Sequence, residues 1–171
     1  ITFKIKETGE DITIGTTRPE LTCTCAMVIF NPEDDRYKKY AGKTAITPIF
    51  NKEVPIKAHP QAEIDKGTGL VMMCSMGDLN DIRFFREQGI QPVIAISKDG
   101  TMNDHAGPLK GLKVKEARLK MIELCKEKGL LTAQRQVTHR TPISERSRVP
   151  IEFIAMPELY VKQLDYLPEP D

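Results

Sequence analysis

The sequence predicts an α+β domain built on a barrel-like, strongly curved β-sheet with peripheral helices. Three observations lead there. Strand-like runs dominate the first hundred residues, three stretches carry helical periodicity, and proline and glycine fall at the joins between runs. With 171 residues, 40% of them hydrophobic, the chain can bury one proper core, so residues 1–171 are read as a single domain. It begins at Ile1 without a methionine and ends in Pro168-Glu169-Pro170-Asp171, which reads as a piece of a longer polypeptide.

Residues 1–6 alternate apolar and polar side chains, Thr8-Gly9-Glu10 supplies a turn, and residues 11–17 alternate again, the pattern of a hairpin. Further strands are expected over 26–30, 44–50, 54–58, 69–75 and 92–97, with Asn51-Lys52-Glu53 as a short connection. Residues 32–40 predict a short helix, with acids in the first turn and lysines in the last, as the helix dipole favours. A second helix is expected over 79–88, between Asp78 and Gly89. The third, over 114–128, places Val114, Ala117, Met121, Leu124 and Cys125 on one face and stops at Gly129. Asp99-Gly100 reads as a hairpin turn. A polar, arginine-rich stretch over 134–148 then leads into an apolar segment over 151–156.

Charge narrows the function. The 25 basic and 24 acidic residues leave a net charge of +1, which argues against holding nucleic acid by bulk electrostatics but leaves room for a local basic patch. Aromatic residues make up 6% with no tryptophan, so extensive base stacking is not expected. No apolar run approaches the roughly 20 residues of a membrane span, and no signal-peptide pattern opens the chain. A cytoplasmic location is expected, with Cys23, Cys25, Cys74 and Cys125 as reduced thiols. No CxxC pair occurs and His59, His105 and His139 are scattered, so no metal site is expected. Asp104-His105 has acid/base character, but its loop context suits a surface role.

Two stretches carry chemistry. In Thr16-Thr17-Arg18-Pro19-Glu20, Pro19 lacks an N–H and disfavours helix at Arg18, so the strand is expected to stop there and present its hydroxyls and guanidinium at a lip. The same residues also suit a plain strand-to-turn edge. In the second stretch, Gly67-Thr68-Gly69 permits a tight backbone approach before an apolar strand, and Ser75-Met76-Gly77 turns the chain into a helix. Asp78 stands where an N-cap belongs, and Asp81 stands at the third helical position. Both carboxylates suit capping, yet a cap needs only one. The other is free to hold an ammonium through a charge-assisted hydrogen bond. No GK[ST] follows the glycines, so this is not a phosphate-binding P-loop.

The pairing of TTRPE with GTG and D-x-x-D resembles the editing (CP1) domain inserted in class I aminoacyl-tRNA synthetases for valine, isoleucine and leucine. The resemblance covers essentially the whole chain, including Asn31-Pro32-Glu33-Asp34-Asp35-Arg36-Tyr37, Ala41-Gly42-Lys43 and Val54-Pro55-Ile56. The run over 67–78 is most similar to the archaeal-type valine form. It departs from the bacterial valine pattern at Met72 (usually lysine) and Cys74 (usually threonine), and Leu21 replaces the threonine that commonly follows TTRPE.

The resemblance implies hydrolytic editing, the removal of threonine from tRNA(Val) by water attack on the aminoacyl ester. Asp81 would hold the α-ammonium, and Asp78 would fix the ribose end or the loop that bears Asp81. Thr16 and Thr17, with backbone groups through Arg18, Pro19 and Glu20, would position water and cradle the ester. Met72 and Cys74 would line the side-chain pocket. Lys66 and Arg18 are candidates for phosphate or terminal-adenosine contacts. Arg135, Arg140, Arg146 and Arg148 either steer the tRNA acceptor end or form a solvated loop. Implied partners are the 3′ end of tRNA and the rest of a parent synthetase. The domain itself would need no cofactor, whereas the parent would use ATP and magnesium. A leucine- or isoleucine-type editor and a non-catalytic tRNA-end-binding insertion are the alternatives.

Overall fold

A computed structural model of the chain describes residues 1–137, 142–148, 150–154, 156, 158 and 159. Six strands form one mixed sheet: β1 (Thr2–Ile5), β2 (Asp11–Thr13), β3 (Cys25–Phe30), β4 (Thr44–Ile46), β5 (Glu53–Ala58) and β6 (Leu70–Cys74). Their spatial order is β2-β1-β4-β5-β3-β6, antiparallel throughout except for the parallel pair β3 and β5. The sheet curls into a half-barrel. Ile12 of the edge strand β2 and Leu70, Met72 and Cys74 of the opposite edge β6 belong to one buried cluster. At the rim, Gly15 approaches Gly67 so closely that a Cβ on Gly15 would stand 3.5 Å from the Gly67 Cα.

β3 and β6 are buried on both faces, which explains their nearly unbroken apolar runs. Alternate residues separate cleanly. Val28, Phe30, Leu70, Met72 and Cys74 face the inner core, where they meet Ala117, Met121 and Cys125 of helix α2 (Val114–Glu127). Ile29 and Met73 face outward onto Phe84 and Phe85 of helix α1 (Leu79–Glu87).

Several elements differ from the sequence expectation for physical reasons. β2 stops at Thr13, four residues short, where the chain turns to meet Gly67. β4 stops at Ile46, because residues 47–52 close a turn with Ile49 and Asn51 at positive φ and a Thr47 N–H bond to the Lys52 carbonyl. No helix of α type forms over 32–40. Asn31 and Asp34 instead accept the backbone N–H groups of Glu33 and Arg36, and a 3-10 turn at Lys38–Tyr40 follows. Residues 92–97 form no strand beyond a single bridge from Ile96 to Met102. Pro92 has no donor there, while the Val93 N–H goes to the Ser75 hydroxyl and the Ile94 carbonyl to the Asn103 amide. An unforeseen 3-10 helix, Pro19–Thr24, has every residue buried.

Candidate functional site

After β2 the Thr16 hydroxyl accepts the Arg18 N–H at 3.0 Å, a local turn that starts the buried 3-10 helix at Pro19. Thr16 is half-buried and Thr17 is exposed beside it, with no hydrogen bond to its hydroxyl among the described residues. Arg18 then reaches across to the second stretch, where its Nη1 donates to the Gly77 carbonyl at 3.0 Å. This contact brings together the two segments that the sequence singled out.

On the far side, β6 is followed by Ser75, Met76 at φ 57° and Gly77, before α1 begins. Asp78 is the N-cap, its Oδ1 accepting the N–H groups of Asn80 at 2.8 Å and Asp81 at 2.9 Å. The Asp81 side chain lies close to the backbone N–H groups of Cys74 and of the N-cap Asp78, which favour its charged form. Its carboxylate folds back under Gly77, where a Cβ would collide with Oδ2 and sit 3.5 Å from Leu21. Burial and the neighbouring Asp78 push the Asp81 pKa up to about 7, against the opposing pull of backbone hydrogen bonds and Arg18. A desolvated carboxylate at the meeting point of two loops is suited to pairing with a cation or exchanging a proton near neutral pH.

The inner wall beneath this junction is sulfur-rich. Met72 receives the Thr22 hydroxyl at 3.7 Å on Sδ, and Cys74 lies opposite Cys25 in the β3–β6 register. The Cys74 thiol is held well above its usual range by the Cys25 thiol beside it and by burial, and burial pushes Cys23 up to about 12. These are neutral, unreactive thiols, and Met72 and Cys74 are packed in the core rather than open to a ligand as the sequence expectation had them.

The GTG segment is braced from outside. Tyr37 donates to the Thr68 carbonyl at 2.5 Å, and Arg36 bonds both Asp34 and the Ile64 carbonyl. Gly69 is at φ +84°, and a Cβ there would strike the Arg36 and Asp34 side chains. Among the described residues, the Thr68 hydroxyl is buried without a partner.

The remaining expected residues fall differently. Glu20 is fully buried and saturated by Arg18 and Arg118, and Pro19 is buried under the same turn, so neither side chain touches a ligand as they stand. Lys66 is exposed and pairs with Glu63. Arg135, Arg146 and Arg148 are exposed, whereas Arg140 and His139 lie outside the described residues. Asp104 is an exposed surface acid paired with Lys110. Among the described residues, no three His, Cys, Asp or Glu side chains converge as a metal site, and no helix is long and apolar enough to cross a membrane.

A cleft of about 330 Å³ borders the junction at Met76 and runs along Ile82, Phe85, Arg86 and Ile90, and a second of about 620 Å³ lies along α2. Neither is lined by Thr16, Thr17 or Asp81. Sequence reading missed Glu152 and Arg118, which complete the surroundings of Arg18 and Glu20. No local motif marks either residue, since both partners are remote in the chain.

No family model matches the chain. Valine–tRNA ligase of Aeropyrum pernix is 43% identical over 166 residues, which cover 97% of this chain and 20% of that protein. The enzymes of the same name from Rickettsia rickettsii (strain Sheila Smith) and Nanoarchaeum equitans are 45% and 44% identical over 99% of the chain, and 21% and 22% of their own lengths. The chain therefore spans about a fifth of the curated relatives it matches and is homologous, over almost its whole length, to one segment of them. A LeuRS of Agrobacterium radiobacter K84 (agnB2), solved as a ternary complex with tRNA and LeuAMS, matches 75% of this chain and 18% of its own with a TM-score of 0.60. At 18% identity that likeness concerns the fold, which is the synthetase editing-domain architecture expected from the sequence.

Proposed function

We propose that this segment, related to part of valine–tRNA ligases, is a deacylase that removes threonine from tRNA(Val). The observation that carries the reading is the junction itself. Arg18 ties the threonine lip to Gly77, and the Asp81 carboxylate lies directly beneath that loop. In this reading Asp81 pairs with the α-ammonium of the misattached amino acid. Water beside Thr16 and Thr17 attacks the ester carbonyl carbon, the bond to the ribose oxygen breaks, and that oxygen takes up a proton. Free threonine and a tRNA with an intact terminal hydroxyl result. The proposed reaction uses orientation and electrostatics, without a covalent enzyme intermediate or a cofactor.

A threonine-specific second site answers a physical need. Valine and threonine are nearly isosteric, so the hydrophobic pocket of valine–tRNA ligases rejects the extra hydroxyl only about a hundredfold. A pocket that hydrogen-bonds the hydroxyl penalises its absence. Arg18 and Asp78 act here as braces, because their polar atoms already hold Gly77 and the α1 terminus. The proposed partners are the tRNA 3′ end and the rest of a longer cytoplasmic synthetase.

Deacylation of threonyl-tRNA(Val) should exceed that of mischarged tRNA(Ile) and tRNA(Leu) by at least tenfold. Preference for either of the latter would reassign the substrate. Hydrolysis no faster than the uncatalysed rate would leave a segment that only binds the tRNA end.

A further inference from the structure

Arg118 lies on α2, far in sequence from both segments of the junction, yet it ends a chain of ion pairs that reaches them. The fully buried Glu20 receives Arg118 Nε at 3.0 Å on Oε2, and Arg118 Nη2 at 2.8 Å together with Arg18 Nε at 3.1 Å on Oε1. Arg18 gives its other two nitrogens to the Gly77 carbonyl at 3.0 Å and to Glu152 at 2.6 Å. The order Glu152, Arg18, Glu20, Arg118 alternates in sign and sums to zero charge.

A carboxylate shut away from water must be paired and hydrogen-bonded. With Arg118 forked onto Glu20, that carboxylate needs only the Nε edge of Arg18. The Nη groups of Arg18 are then left to reach Gly77 and Glu152. Without Arg118, Glu20 would draw the whole Arg18 fork onto itself, since the bidentate pairing is the strongest one open to it. Gly77 would lose its donor, and the loop over Asp81 would lose its tie to the threonine lip.

We propose that Arg118 is a positioning residue for the candidate hydrolytic site: by satisfying Glu20 it keeps the Nη edge of Arg18 on the Gly77 carbonyl and so fixes the loop above Asp81. The kinetic consequence rests on the hydrolytic reading, whereas the geometric one does not. The test compares the full chain with Arg118→Met and with the double variant Glu20→Gln/Arg118→Met, in which no buried charge remains to capture Arg18. Two quantities are measured: KM and kcat for threonyl-tRNA(Val), and the Asp81 carboxyl titration followed by carbon NMR.

In folded Arg118→Met, KM should rise roughly tenfold, the scale of one lost charge-assisted hydrogen bond, with kcat changed less. The Asp81 midpoint should move up from about 7, because Arg18 retreats from it. The double variant should recover both quantities. A merely structural role predicts the double variant to be no better than the single one, and that result overturns the proposal. So does Arg118→Met with an unchanged Asp81 titration. Should the wild type fail to hydrolyse the ester, the hydrolytic reading falls, while the titration still decides the positioning role.

Discussion

A carboxylate that must meet an ammonium works only when ionised, and the surroundings of Asp81 oppose ionisation. Burial and Asp78 hold its pKa at about 7, so in the proposed reading an ammonium partner would restore the charge. Affinity of the wild type for a threonyl-adenosine analogue should therefore rise between pH 6 and pH 8, as the Asp81 proton leaves. Calorimetric titrations checked against Asp81→Asn remove the analogue's own ionisation from the comparison. An identical profile in both proteins would place the ammonium elsewhere. Asp81→Ala should weaken binding by roughly 2–5 kcal/mol, the cost of breaking a buried charge pair. The threonines divide differently. Thr16 is occupied with the Arg18 N–H, whereas Thr17 is exposed and available to water. Thr17→Ala should lower kcat about tenfold or more with affinity nearly intact, and a normal single-turnover rate would remove it from the mechanism.

Helix α1 and its entry loop do two separate jobs within a few residues. Asp78 holds the terminus, and Asp78→Ala leaves two N–H groups without their acceptor at a cost of about 1 kcal/mol. Urea denaturation should register that loss, and amide exchange should quicken first in the opening turn of α1. Gly77→Ala tests the other job. Gly77 is not among the positive-φ glycines, so alanine adds no backbone strain, yet its methyl would displace the Asp81 carboxylate. Ligand affinity should fall at least tenfold while stability changes little, and retained affinity would mean that the carboxylate need not lie under the loop. The α1 cap was legible because acceptor and donors lie within three residues of each other in one segment. The burial of Glu20 was not, because its partner Arg118 lies 98 residues away. The turns over 31–37 escape a periodicity reading for a related reason. Asn31 and Asp34 carry side chains that compete with the helical hydrogen-bond pattern, and periodicity alone does not weigh that competition.

The half-barrel brings its two edges together at Gly15 and Gly67, and this closure is what sets the threonine lip beside the loop over Asp81. Short strands with glycine and proline between them made the curved sheet legible. The strand order was not, because the parallel β3–β5 pairing joins segments more than twenty residues apart and no local pattern encodes it. The assembled molecule carries Asp81 against its own stability, and the sign of that effect can be worked out. In the unfolded chain Asp81 titrates near its ordinary 3.8, and in the folded chain at about 7. Between those values the folded state holds a proton that the unfolded state has released, so stability falls as pH rises through that window and levels off above it. The carboxyls whose pKa values are lowered, such as Glu7, Glu10, Asp99 and Asp104, act in the opposite sense. Their contribution is lost only as pH falls below the ordinary carboxylate range, so the two effects occupy separate windows. Asp81→Asn should therefore match the wild type near pH 4 and exceed it by on the order of 4 kcal/mol at pH 8, because each tenfold change in proton affinity on folding is worth about 1.4 kcal/mol. Urea unfolding at pH 5 and pH 8 measures the difference, and a gap that does not widen with pH would show that Asp81 is solvated in the free protein. A stabilised Asp81→Asn that no longer binds the analogue would tie the two findings together: the charge that weakens the empty domain is the one that the bound ammonium compensates.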